Sequence, residues 1–196
     1  MNIFYLDHDV AKCAEMHNDK HVVKMILEYC QLLSTAHRYL DGIEIIGKTK
    51  TGRNVKRWKL NDERDTILYS ATHINHPSAV WCRKNAANYE WLHQLLVELC
   101  KEYTFRYGKI HKCQSTGLVD ALSRLPSNIA NEPFTQPTPA MPDEVKIIGD
   151  SVASYRNYYI NNKTHLANWK KRKVPRSEEH TSELQSQSTI SYAVFC

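Results

Sequence analysis

Between His21 and Leu40 the apolar residues Val22, Val23, Met25, Ile26, Leu27, Tyr29, Cys30, Leu32, Leu33 and Ala36 fall on nearly every side of a helical barrel. A helix apolar all round belongs in the middle of a protein, so this segment predicts a buried central helix of about five turns. Asn18 or Asp19 supplies an N-cap, and Asp41-Gly42 supplies the stop. The polar exceptions are His17, His21, Lys24, Glu28, Gln31, Thr35 and Arg38. Their alternating steps of four and three draw one seam along the helix. Such a seam is either an ordinary solvated face or the wall of a cleft. Its content of His, Gln and Thr, where a solvated face carries mostly Lys and Glu, favours the cleft.

The flanking segments predict a mainly α, compact single-domain fold. Ile3 to Leu6 read as a short strand or anchored arm, and Val10 to His17 as one or two helical turns. Ile43 to Leu60 read as a hairpin about a Thr51-Gly52 turn, with strands near Glu44–Lys48 and Asn54–Leu60. Lys48, Lys50, Arg53, Lys56 and Arg57 make it a basic wing suited to a phosphate backbone. A short helix from Asn61 or Asp62 to Ser70 precedes the corner Thr72-His73-Ile74-Asn75-His76-Pro77, and helical spacing resumes from Pro77 to Tyr107 with a joint near Asn85 to Asn88. A helix near Ser115 to Leu125, a Pro-rich wrapping arm over about 126–148 and a last helix after Gly149-Asp150-Ser151 complete the reading.

RSEEHTSELQS (Arg176 to Ser186) and ISYAVFC (Ile190 to Cys196) in residues 176–196 match in-frame translations of two parts of a common sequencing adapter, so this tail is expected to be non-native and the domain to be 1–175. Without Arg176, Glu178, Glu179 and Glu183 the formal net charge rises from +5 to +7. Cys13, Cys30, Cys82, Cys100 and Cys113 remain, an odd number without CxxC spacing, which fits a reducing cytoplasm better than a disulfide framework. No apolar run is long enough for a membrane span. Excess basic charge mixed with Tyr and Trp permits double-stranded DNA as a partner.

P-loop, GxGxxG, HExxH, GxSxG and zinc-finger spacings are absent, which removes the usual nucleotide-cofactor and hydrolase readings, and no cofactor is expected. Two constellations remain. Lys24 on a buried helix offers a desolvated amine as nucleophile toward an aldehydic sugar carbon, with Glu28 to stabilise positive charge and His21 or His73 to carry a proton. Around them His17, Gln31, Asn75, His76 and Trp81 are candidate pocket residues, and Lys20, Arg38 and Arg156 join the hairpin cations as candidate DNA contacts. Alternatively His17, His21, His73 and His76 gather round a metal ion.

Asp19-Lys20-His21-Val22-Val23-Lys24, then Asn75-His76-Pro77 with Trp81, then a long helix closing at Tyr107-Gly108, together resemble the pyrimidine-dimer DNA glycosylases of the endonuclease V type. The DKHVVKM opening is also similar to that of phage proteins. The likeness spans roughly residues 1–110. It implies a compact helical domain acting on DNA, whose nucleophile is the N-terminal amine freed by Met removal, beside a glutamate and several arginines on the first helix. This chain departs from that pattern. Asn2 leaves Met1 in place, and the family's acid aligns near His21, with basic positions near Lys20 and Lys24. On this reading the chain is a DNA glycosylase or AP lyase for a damaged or modified base, in which Met1's amine or Lys24 attacks and Glu28 replaces the acid. The alternatives are a non-catalytic phage DNA-binding or accessory protein, and the His-liganded metal enzyme.

Overall fold

A computed structural model describes residues 1–49 and 51–175. Lys50 and the tail 176–196 lie outside the described residues.

An N-terminal arm without regular secondary structure buries Ile3, Phe4, Tyr5 and Leu6 and leads into α1 (Val10–Met16). The central helix α2 (Asp19–Asp41) follows, with the Asn18 side chain accepting from the His21 amide, a cap that stabilises a helix by about 1 kcal/mol. Gly42 ends α2 in an extended conformation. The residue must be glycine because a Cβ there would collide with the Arg38 carbonyl oxygen.

The hairpin comprises β1 (Ile43–Lys48) and β2 (Asn54–Lys59), antiparallel, with Ile45 opposite Arg57 and Ile46 opposite Lys56. It stands away from the body: Ile43, Ile45 and Ile46 are exposed, while Trp58 and Leu60 anchor its base. Helix α3 (Arg64–Ile67) stops well short of Ser70. Arg38 reaches from α2 to take the carbonyls of Asp65, Leu68 and Tyr69, which holds the chain in a loop where a longer helix was expected.

The joint between α4 (Pro77–Cys82) and α5 (Ala86–Tyr107) falls just before Asn85, which caps α5 through the Asn88 amide. Gly108 closes α5 with a positive φ of 64°, open to glycine at no steric cost. The expected helix at 115–125 is two short ones, α6 (Lys112–Ser115) and α7 (Leu118–Ala121), because Gly117 turns left-handed between them. The Pro-rich segment is strapped to α4 and α5: Ala130 accepts from the Ala86 amide, Pro133 from Asn85, and Thr135 from the Trp81 indole. Helix α8 (Ser151–Asn162), capped by Asp150, lays Tyr155 and Tyr159 against Phe4. Trp169 then ties the chain end to the Met16 carbonyl. Arg106 is fully buried and pairs with Glu102 at 2.6 Å and Asp19 at 2.9 Å, so its charge is compensated where water cannot reach it.

Candidate active site at Met1 and Glu28

The polar seam of α2 is closed at both ends and open only in the middle. His17 is fully buried, its Nδ1 donating to the Cys13 carbonyl and its Nε2 facing the Tyr29 hydroxyl. His21 is buried against Phe4, the two rings stacked at 4.2 Å, with its Nδ1 2.6 Å from the Tyr159 hydroxyl. Burial pushes the His17 imidazole down to about 4 and His21 to about 3, so both are neutral packing elements under the arm. Thr35 meets the Thr72 backbone. Arg38 spends all five N–H groups on Tyr69, Trp58, Leu68 and both the carbonyl and carboxylate of Asp65. That leaves it no donor for a phosphate. The expectation that the whole seam lines a cleft therefore fails: it is a window over Lys24, Glu28 and Gln31, bordered by the exposed Val23 and Leu27.

The N-terminus fills that window. The arm brings the Met1 main-chain nitrogen to 4.0 Å from Oε2 of Glu28, while Lys24 Nζ lies 3.3 Å from Oε1 of the same carboxylate. The Lys24 side chain is 69% exposed, whereas the Met1 side chain, at 6%, packs into the body and the Glu28 side chain is 14% exposed. The desolvation expected for Lys24 is absent. Ser78, on α4, donates its hydroxyl to the Met1 carbonyl at 3.2 Å and fixes the arm's first residue from the other side.

The histidine corner borders the same place. His76 caps α4 by accepting from the Ser78 amide through Nδ1, which puts its proton on Nε2 when the ring is neutral. Burial, then the positive N-terminal amine and His73, lower its pKa, while Glu28 opposes them. His73 is exposed, sits in a left-handed conformation at φ 49° and bonds Thr72 Oγ1 through Nδ1. Asn75 is exposed beside it. Trp81 is instead core, packed edge-on against Trp91 and Phe134. The four histidines do not converge. Among the described residues no group of three or more His, Cys, Asp or Glu side chains is arranged to hold a metal ion.

Of the candidate DNA contacts, Lys20, Lys48, Arg53 and Arg57 are exposed. Lys56 is paired with Glu44 at 2.8 Å, and Arg156 is engaged with Leu6 and Asp7 of the arm. Lys50 lies outside the described residues. A cavity of about 250 Å³ opens at the hairpin root, lined by Arg38, Ile45, Arg57, Trp58, Lys59 and Ser70. Arg38, on its wall, is about three turns along α2 from Glu28. Sequence reading missed Ser78, Phe4 and Tyr29 as parts of the site. Their common role, holding residues 1–4, has no signature in spacing, because the contacts join segments tens of residues apart.

The profile describing pyrimidine dimer DNA glycosylases matches residues 1–115, from the arm through the end of α6. The chain belongs to the pyrimidine dimer DNA glycosylase family. The match contains the arm, α2, the hairpin and the histidine corner, so every residue around Glu28 named above lies inside it. The family is one of DNA repair enzymes of the glycosylase type that bind DNA, whereas α7, most of the Pro-rich strap and α8 lie beyond the matched span. No curated protein and no solved structure matches the chain. Among the described residues no helix is long and apolar enough to cross a membrane.

Proposed function

We propose that this member of the family is a DNA glycosylase with AP-lyase activity, acting on a damaged or modified base extruded from duplex DNA, and that the N-terminal amine of Met1 is its nucleophile. The observation that carries the reading is the Met1 nitrogen 4.0 Å from Glu28 on a largely buried shelf.

In the proposed reaction the amine attacks C1′ of the damaged nucleotide. The C1′–base bond breaks with its electron pair leaving on the base, which takes up a proton. The resulting N-glycosylamine opens its C1′–O4′ bond, O4′ gains a proton, and an iminium remains. Glu28 stabilises the positive charge that develops at C1′ and on nitrogen. Loss of a C2′ proton then expels the 3′ phosphate and cleaves the strand. His76, carrying its proton on Nε2, and the exposed His73 are the nearby groups suited to proton transfer. Lys20, Lys48, Arg53 and Arg57 contact phosphates and supply affinity without sequence preference.

The five cysteines among the described residues, all buried and unpaired, and the phage-like DKHVVKM segment support a phage-encoded protein working in the host cytoplasm. Borohydride reduction on duplexes bearing an abasic site or a pyrimidine dimer, followed by peptide mapping, tests the mechanism. The expected adduct is on the Met1 nitrogen. An adduct on Lys24 moves the nucleophile to the helix, and the absence of both adduct and strand scission removes the lyase chemistry.

A further inference from the structure

The segment that carries the amine is held by a part of the chain outside the family match. Among residues 1–7 the backbone makes one hydrogen bond to itself, Leu6 to Phe4, so side chains must fix the arm. Three do so from the matched region: the Tyr29 hydroxyl accepts from the Phe4 amide, Cys13 Sγ accepts from the Leu6 amide, and Ser78 donates to the Met1 carbonyl. The others come from α8. Arg156 donates Nε to the Leu6 carbonyl at 2.7 Å and pairs with Asp7 at 3.0 Å. Tyr155 and Tyr159 meet the Phe4 ring edge-on at 5.8 and 5.4 Å. Tyr159 also holds the His21 ring on which Phe4 stacks.

We infer that α8 is a positioning element for the N-terminal amine, with Arg156 and Tyr159 as positioning residues that keep Met1 in register with Glu28. The assignment rests on the reading of Met1 as nucleophile. Arg156 adds little to bulk stability, since its side chain is 40% exposed and such pairs contribute little to folding. Its bonds instead fall on the one stretch with almost no backbone bonding of its own. A displacement of about 1 Å at the reacting nitrogen is enough to slow a positioned reaction by roughly a hundredfold.

The test uses the full chain with Arg156→Ala, Arg156→Lys and Tyr159→Phe, and Tyr89→Phe as a control that loses buried bonds to His37 and Leu122 away from the arm. Three quantities are read: single-turnover borohydride trapping on an abasic duplex, affinity for the same duplex with an unreactive tetrahydrofuran site, and amide exchange of residues 3–6. Arg156→Ala is expected to slow trapping at least about tenfold, leave affinity within about twofold and speed arm exchange, with Arg156→Lys restoring part of the rate. Tyr89→Phe should lower the melting temperature and leave trapping intact. Trapping at the wild-type rate in both Arg156→Ala and Tyr159→Phe, or a fall in parallel with affinity, overturns the inference. If the wild type itself does not trap, the nucleophile reading fails. Arm exchange then decides alone: acceleration in Arg156→Ala confined to residues 3–6 supports positioning, and unchanged exchange refutes it.

Discussion

The main-chain nitrogen of Met1 stands 4.0 Å from Oε2 of Glu28, which takes Lys24 on its other oxygen at 3.3 Å. One carboxylate thus faces two amines, one on the exposed Lys24 side chain and one on the first residue of the arm.

Glu28→Gln is expected to reduce single-turnover excision by about a hundredfold or more, the usual scale for losing a charge-stabilising group. Duplex affinity should stay within about threefold. Gel-resolved turnover with a parallel binding titration checks both, and full activity in the variant would remove Glu28 from the mechanism.

Lys24→Ala should still give the covalent adduct, with a modest loss of affinity that shrinks as salt is raised. Loss of the adduct with unchanged affinity would instead make Lys24 the nucleophile.

Arg38→Ala should destabilise the fold by about 3 kcal/mol, because it leaves four backbone carbonyls without their donor. Urea denaturation measures this. A well-folded variant that had lost only DNA affinity would return Arg38 to the DNA interface.

Acid should weaken the fold ahead of any effect on the carboxylates alone. Burial pushes His37 down to about 4, as it does His17, and His21 to about 3, so all three are neutral in the folded protein at pH 5, while the unfolded chain protonates them near 6.5. Unfolding at that pH takes up about three protons, so stability is full above about 6.5 and is lost as pH falls toward 4. Glu102 adds to the trend at lower pH: burial raises its carboxyl, but Arg172 and Arg106 outweigh it and hold it low. Melting temperatures between pH 7 and 4.5 should fall, and a variant such as His37→Gln should show a shallower slope.

On the hairpin, Arg53→Ala and Arg57→Ala should each reduce the slope of log affinity against log salt by about 0.9. Glu44→Gln should strengthen binding, since it releases Lys56 from its pair. Unchanged slopes would make the wing a solvated surface.

The length of α2, its caps, the hairpin, the α4–α5 joint and the basic wing were legible in the sequence, because each follows from contacts within a few residues: helical spacing, an Asn18 cap, a Thr51-Gly52 turn, a proline at Pro77. The seam was legible as a pattern and misleading as a surface. Whether a polar side chain on a helix meets solvent, substrate or protein depends on what packs over it. For His17, His21, Thr35 and Arg38 that cover comes from segments distant in the chain, including Tyr159 on α8. Local chemistry named Lys24 and Glu28. Only the tertiary structure brought the first residue of the chain to Glu28, and it took Ser78, Tyr29 and Arg156, drawn from three helices, to hold the arm that carries it there.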